Sequence, residues 1–156
     1  MTLYLVRHAH AGSRAGWPGD DDAERPLSDK GHAQARFFAA QVADEPIRKL
    51  WSSPAVRCRQ TLEPLAAALD LEVKVANELA EGADPDEAIA FLLAHARHDA
   101  AFSSHGDLIP KMIRRLTANG MRTSDPSVAT KGSWWVLEVR DDRITSGTYV
   151  PHGSDD

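Results

Sequence analysis

The sequence contains one cysteine, Cys58, which rules out an internal disulfide framework. It has no apolar run approaching the roughly 20 residues of a membrane span. Its beginning, TLYLVRH, lacks the basic region, long apolar region and cleavage site of a secretory signal, so the expected location is cytoplasmic. No Gly-x-x-x-x-Gly-Lys-Ser/Thr loop occurs, which excludes nucleotide binding through that device. Basic residues do not predominate either: 18 Lys and Arg face 23 Asp and Glu, a net charge of -5 that argues against a general nucleic-acid binder. Internal repeats, low-complexity tracts and linkers are also missing, so all 156 residues are read as one domain.

What is present fits an ordinary globular chain, with 42% hydrophobic and 26% charged residues. Leu3 to Val6 is a short apolar run without alternation, as expected of a strand covered on both faces. Gly12 to Pro26 reads as a long loop, a length usually tied to function. Ser28 is placed to cap a helix starting near Asp29. RKLWSS is a second strand candidate. Ser53 is then expected to cap a helix with Pro54 in its first turn, running to about Leu69 and kinked or split at Pro64. LEVKV alternates as a strand, Asp84-Pro85 opens a helix, AAFSS is a fourth strand, and a helix follows from about Leu108 to Ala118. SWWVLEVR and RITSGTYV flank Asp141-Asp142 as a hairpin. The fold class is therefore α/β, a mostly parallel central sheet with helices on both faces and a C-terminal β-hairpin.

Ligands of such sheets gather at the carboxyl ends of the strands. Three strands end in suggestive groups: the first in Arg7-His8, the second in Ser52-Ser53-Pro54 with Arg57 a turn into the helix, the fourth in Ser104-His105. If these ends are adjacent, two guanidinium groups and two imidazoles meet. Guanidinium forks and a helix N-terminus suit phosphate oxygens and the charge that spreads over them during transfer. Arginines concentrated in an acidic chain point to a focused anion pocket.

LVRHAHAG resembles the Arg-His-Gly signature of the histidine phosphatase, or phosphoglycerate mutase-like, superfamily, with Ala9 in place of glycine. RPLSDKGHAQA, SSPAVRCRQT and SSHGDLIP are similar to its later segments and follow in the same order. Chain length and the early RPLS place the resemblance nearest the SixA-like branch. AGSRAGWPGDDDAERPLSDKG, RCRQTLEPLAAAL and KGSWWVLE further resemble the phosphatase-like half of actinobacterial MutT-type two-domain Nudix hydrolases, although no Nudix box is present.

The resemblance implies that His8 is the nucleophile, attacking as neutral imidazole, and that Arg7, Arg57 and His105 hold the phosphoryl oxygens. The arginines beside His8 are expected to disfavour its protonation. For the proton donor, Glu81 is favoured among Glu78, Glu81 and Asp84, and the SixA-like branch often lacks this acid. Arg14, Arg25 and Lys30 in or beside the long loop, together with Ser104, are candidates for substrate binding, and Trp17 for stacking a base. No cofactor or metal is implied. The partners expected are a phosphorylated metabolite or nucleotide, or a phosphohistidine protein, with no membrane or nucleic acid and a Nudix hydrolase as a possible partner.

Plainer roles compete with these. Arg57 also reads as a helix-surface ion-pair partner of Glu63 or Asp70, His105 as a buried structural histidine, and Glu81 as a solvated loop carboxylate. His10, His32, His95, His98 and His152 read as surface residues, Asp20 to Asp22 as a solvated turn with Mg²⁺ binding as its alternative, and Trp134-Trp135 as one core and one surface ring. Cysteine-dependent phosphatase chemistry is excluded, because the position six after Cys58 is Pro64 rather than arginine. Two rival functions stay open, a non-catalytic phosphate-binding module serving a Nudix partner and, less favoured, a mutase.

Overall fold

Leu3, Tyr4, Leu5 and Val6 are all buried because β1 (Thr2–Arg7) has a hydrophobic layer on each face. Leu3 and Leu5 point into one core cluster, while Tyr4 and Val6 point into the other. The computed structural model describes residues 1–152. Its helices divide between the two layers. The helices α1 (Asp29–Val42) and α2 (Val56–Leu69) supply Phe38, Leu62 and Leu65 to the Tyr4 side. The other pair, α3 (Pro85–Ala94) and α4 (Ile109–Ala118), supplies Leu92, Ile109 and Met112 to the Leu3 side.

The remaining strands are β2 (Ile47–Ser52), β3 (Val73–Val75), β4 (Asp99–Ser104), β5 (Trp134–Arg140) and β6 (Arg143–Val150). Their order across the sheet is β3-β2-β4-β1-β5-β6. The β3-β2, β2-β4 and β4-β1 pairings are parallel, and β5 runs antiparallel to both β1 and β6. This is the expected α/β architecture with its C-terminal hairpin. Asp141 and Asp142 both take positive φ in the hairpin turn (50° and 61°), the twist that suits right-handed strands.

Four local expectations need correction. Trp134 and Trp135 are both buried, 3% and 0% exposed, because β5 also carries a core layer on each face. Ser53 does not cap α2. The helix begins later, with Ala55 as its uncapped boundary residue, and the Ser53 hydroxyl is taken up by the His105 ring. Pro64 does not split α2, which runs unbroken through it. The third strand starts at Val73 rather than Leu71. No helix among the described residues is long and apolar enough to cross a membrane.

Candidate active site

Adjacent placement of β2, β4 and β1 brings three carboxyl ends side by side. The chain leaving each strand stays tied to its neighbour: His8 N–H donates to the Ser104 carbonyl at 2.9 Å, and Ser53 N–H to the Ser103 carbonyl at 3.0 Å. His8 and His105 therefore face each other, with ring centroids 5.5 Å apart. They line a cavity of about 320 Å³ together with Arg7, Arg14, Arg25, Arg57, Lys131, Glu81, Asp107, Gly12, Ser13 and Gly106. Five cations stand there against two carboxylates, although the chain as a whole carries -5. The clustered arginines therefore do converge on one cavity.

His8 is nearly buried, and its Nδ1 lies 2.8 Å from the Ala9 carbonyl oxygen. A carbonyl can only accept, so in the neutral ring Nδ1 carries the proton and Nε2 keeps the lone pair. Burial lowers the His8 pKa from 6.5 to about 3, with His105, Arg57 and Arg7 adding smaller contributions in the same direction. The direction agrees with expectation, but desolvation rather than the flanking arginines is the main cause. Burial likewise lowers His105 to about 4, with Arg57 next among the groups that disfavour its charge. Its Nε2 meets the Ser53 hydroxyl at 2.8 Å, leaving Nδ1 as the nitrogen without a described hydrogen bond.

Arg7 ends β1 and donates through Nη1 to the Ala129 carbonyl at 2.7 Å. Its guanidinium lies flat against Gly106, where a Cβ would strike Cζ, Nε and Nη2. Arg57, 2% exposed, donates through Nη1 to the Asp22 carbonyl and through Nη2 to Glu81. The Nε–H of both Arg7 and Arg57 is buried without a partner. Leaving such a donor unpaired costs about 1–3 kcal/mol.

Of the remaining candidates, Glu81 does reach the cavity, but its oxygens accept from Arg14 (2.9 Å) and Arg57 (3.3 Å). Arg57 therefore pairs with Glu81 and Asp22, not with Glu63 or Asp70. Arg14 and Arg25 line the cavity. Ser104 is a correction: fully buried, it turns its hydroxyl to the Leu79 carbonyl at 2.7 Å, because its strand position points into the core. Lys30 and Trp17 are not among the cavity's lining residues, and the Trp17 indole donates instead to the Asp21 carbonyl. His10 and His95 are half-buried rather than free on the surface, the first on Ser28 and the second against Trp51 and Phe91. The thiol of Cys58 is buried and its pKa is pushed up to about 12, mainly by desolvation, which makes it a poor nucleophile.

Sequence reasoning missed Asp22, Asp107, Ser13, Gly106 and Lys131. Asp22 is the main correction, since the acidic run is not simply a solvated turn. Its carboxylate meets Arg25 at 2.9 Å and both Arg14 and Arg57 at 3.2 Å. The one sequence signal was its three-residue spacing from Arg25. Lys131 had no local signal, because only tertiary folding carries it to His8. Among the described residues no group of three His, Cys, Asp or Glu side chains is placed to hold a metal ion.

Comparison with known proteins adds a family model, histidine phosphatase superfamily (branch 1), which matches residues 3–84. An 8-oxo-(d)GTP phosphatase of Mycolicibacterium smegmatis is 33% identical over 96% of the chain and 48% of its own length. The chain spans about half or less of the curated relatives it matches. Among solved structures, the protein histidine phosphatase SixA complexed with tungstate is similar with TM-score 0.77 and 23% identity, covering 96% of this chain and 94% of that one. The alpha-ribazole phosphatase of Shigella flexneri is similar with TM-score 0.71 and 15% identity, covering 98% and 96%. At these identities the structural likeness concerns the fold.

Proposed function

The chain belongs to the histidine phosphatase superfamily, and on that premise we propose that it hydrolyses a phosphoryl group through a phosphohistidine on His8. The observation that carries this reading is the His8 ring itself: neutral, fixed with Nε2 free, and lining one cavity with the Arg7 and Arg57 guanidinium groups. His8 Nε2 attacks phosphorus and the bond to the leaving group breaks. Arg7, Arg57 and His105 hold the phosphoryl oxygens as charge spreads over them. Water then attacks the phosphorus, the P–N bond breaks, orthophosphate departs and Nε2 regains its lone pair.

Glu81 is the remaining candidate for proton donor, but two guanidinium groups already occupy its oxygens. In that arrangement it orients Arg57. The reaction then suits substrates whose leaving group departs with little help, a phosphoanhydride or a phosphohistidine protein rather than an alkyl ester. The guanidinium groups supply the charge stabilisation, so turnover is expected to survive a chelator.

Intact-protein mass spectrometry after neutral quenching with acetyl phosphate tests the reading, beside steady-state phosphate release. An acid-labile gain of one phosphoryl group, absent in His8→Ala, is expected together with turnover. No adduct and no release from acetyl phosphate, nucleotides or phosphohistidine peptides, with phosphate binding retained, would leave a non-catalytic phosphate-binding module instead.

A further inference from the structure

The cations of the cavity differ in how fully they are neutralised. Arg14, Arg25 and Arg57 all contact Asp22, and Arg14 and Arg57 also contact Glu81. Among the described residues, neither Arg7 nor Lys131 makes an ion pair. The ion pairs of the cavity therefore lie on one wall; on the other, the Asp107 carboxylate acts on Arg7 from beyond ion-pair distance, and Lys131 has no ion-pair partner among the described residues.

Lys131 is held on that second wall by backbone, not by a mobile loop tip. Gly132 N–H donates to the carbonyls of Arg7 (3.2 Å) and His8 (3.3 Å), and Arg7 N–H donates to the Ser133 carbonyl at 3.0 Å. The Arg7 guanidinium grips the same segment at the Ala129 carbonyl. Gly132 takes φ +82°, and a Cβ there would press on the Gln34 side chain at 3.1–3.2 Å. The lysine thus projects from a turn fastened to the backbone of the nucleophile. It is half-buried, and its pKa is lowered by burial and then by Arg7, Arg25 and Lys30. An ammonium surrounded by other cations is unfavourable by itself and becomes favourable when an anion arrives.

One phosphoryl group at His8 already has Arg7, Arg57 and His105 to hold its oxygens. Resting on the phosphatase reading above, we infer that Lys131 is a specificity-determining residue that holds a second anionic group of the substrate, so that the site favours a phosphoanhydride such as a nucleoside diphosphate. In that reaction His8 Nε2 attacks the terminal phosphorus and the P–O bond to the bridging oxygen breaks. The nucleoside monophosphate leaves with that oxygen and the electron pair, as a stable phosphate anion that needs no proton donor. Water then hydrolyses the P–N bond to release orthophosphate. The leaving phosphate remains beside Lys131 until it departs.

The test compares ADP with para-nitrophenyl phosphate in the wild type and in Lys131→Ala, Lys131→Gln and Lys131→Arg. The ratio of kcat/KM for ADP over that for para-nitrophenyl phosphate is expected to fall about tenfold or more in the first two variants, mainly through KM. Lys131→Arg should restore most of it. An unchanged ratio would overturn the inference, as would equal losses on both substrates, which would place Lys131 on the transferred group. Binding is measured separately by calorimetry, with methylenediphosphonate against orthophosphate. The wild type should prefer the bisphosphonate, and Lys131→Ala should lose that preference. That measurement needs no turnover, so the subsite can fail while His8 still forms its adduct, or stand while the phosphatase reading fails.

Discussion

An imidazole that attacks phosphorus must keep its lone pair, and at His8 burial does most of the work of keeping it. With the ring's pKa lowered to about 3, protonation of His8 should not reduce kcat/KM between pH 8 and pH 5 once the substrate's own ionisation is accounted for. An acid limb near pH 6.5 that follows His8 would contradict this. Arg57→Lys tests the guanidinium fork, and Arg57→Gln, which also removes the charge, separates the two causes of the lowered pKa. A lysine cannot reach the Asp22 carbonyl and a phosphoryl oxygen with one planar fork, so kcat/KM should fall roughly 10²-fold. Because Arg57 contributes less than desolvation to the lowered pKa, Arg57→Gln should still show no acid limb from His8 between pH 8 and pH 5. A limb appearing in that range in Arg57→Gln would mean that the guanidinium, not burial, sets the ring's charge. At this scale the sequence was readable where chemistry and chain position coincide. Arg7-His8 and Ser104-His105 each announce a strand end, whereas Asp22 sits in an acidic run that looks like any solvated turn.

Elements carry the site through close approaches that their small residues allow. Gly106 follows His105 at the start of the segment leading into α4, and the Arg7 guanidinium lies where its side chain would be. Its φ is outside the left-handed region, so Gly106→Ala should fold with little backbone cost, while the new methyl group displaces Arg7. Activity should drop at least tenfold with Tm changed by only a few degrees, checked by kinetics beside thermal unfolding. A large fall in Tm with activity per folded molecule unchanged would refute the positioning role. Helices and strands were legible in the sequence as periodic elements, and the misreadings came from tertiary competition. Ser53 has good capping chemistry, but the His105 ring competes for its hydroxyl. Trp134 and Trp135 alternate as strand residues should. Nothing local tells that both faces of β5 are covered, since that depends on where α1, α2 and α4 come to rest.

On the scale of the whole molecule, a site built from buried neutral histidines ties stability to pH. In the unfolded chain both imidazoles titrate near 6.5, whereas in the folded chain His8 does so at about 3 and His105 at about 4. Between these limits the unfolded state binds more protons. Stability is therefore fully present above about pH 6.5 and declines as the pH falls toward 4. Each histidine contributes at most about 1.4 kcal/mol per pH unit in that window, or about 2 kcal/mol between pH 7 and pH 5. Asp22, whose carboxyl is lowered chiefly by its hydrogen bond to Arg25, acts in the same direction only below the ordinary carboxylate range, so it does not enter above pH 5. His10 and His95 are also lowered but are more exposed, so they add a weaker slope of the same sign. The measurement is chemical unfolding at pH 7, 6 and 5 for the wild type and for the double variant His8→Gln, His105→Gln. The wild type should lose up to roughly 4 kcal/mol more than the double variant over this range, whatever their absolute stabilities. Equal slopes would mean that the two rings are accessible to protons in the folded state. The desolvation that leaves His8 Nε2 free to attack would then have to be given up as well.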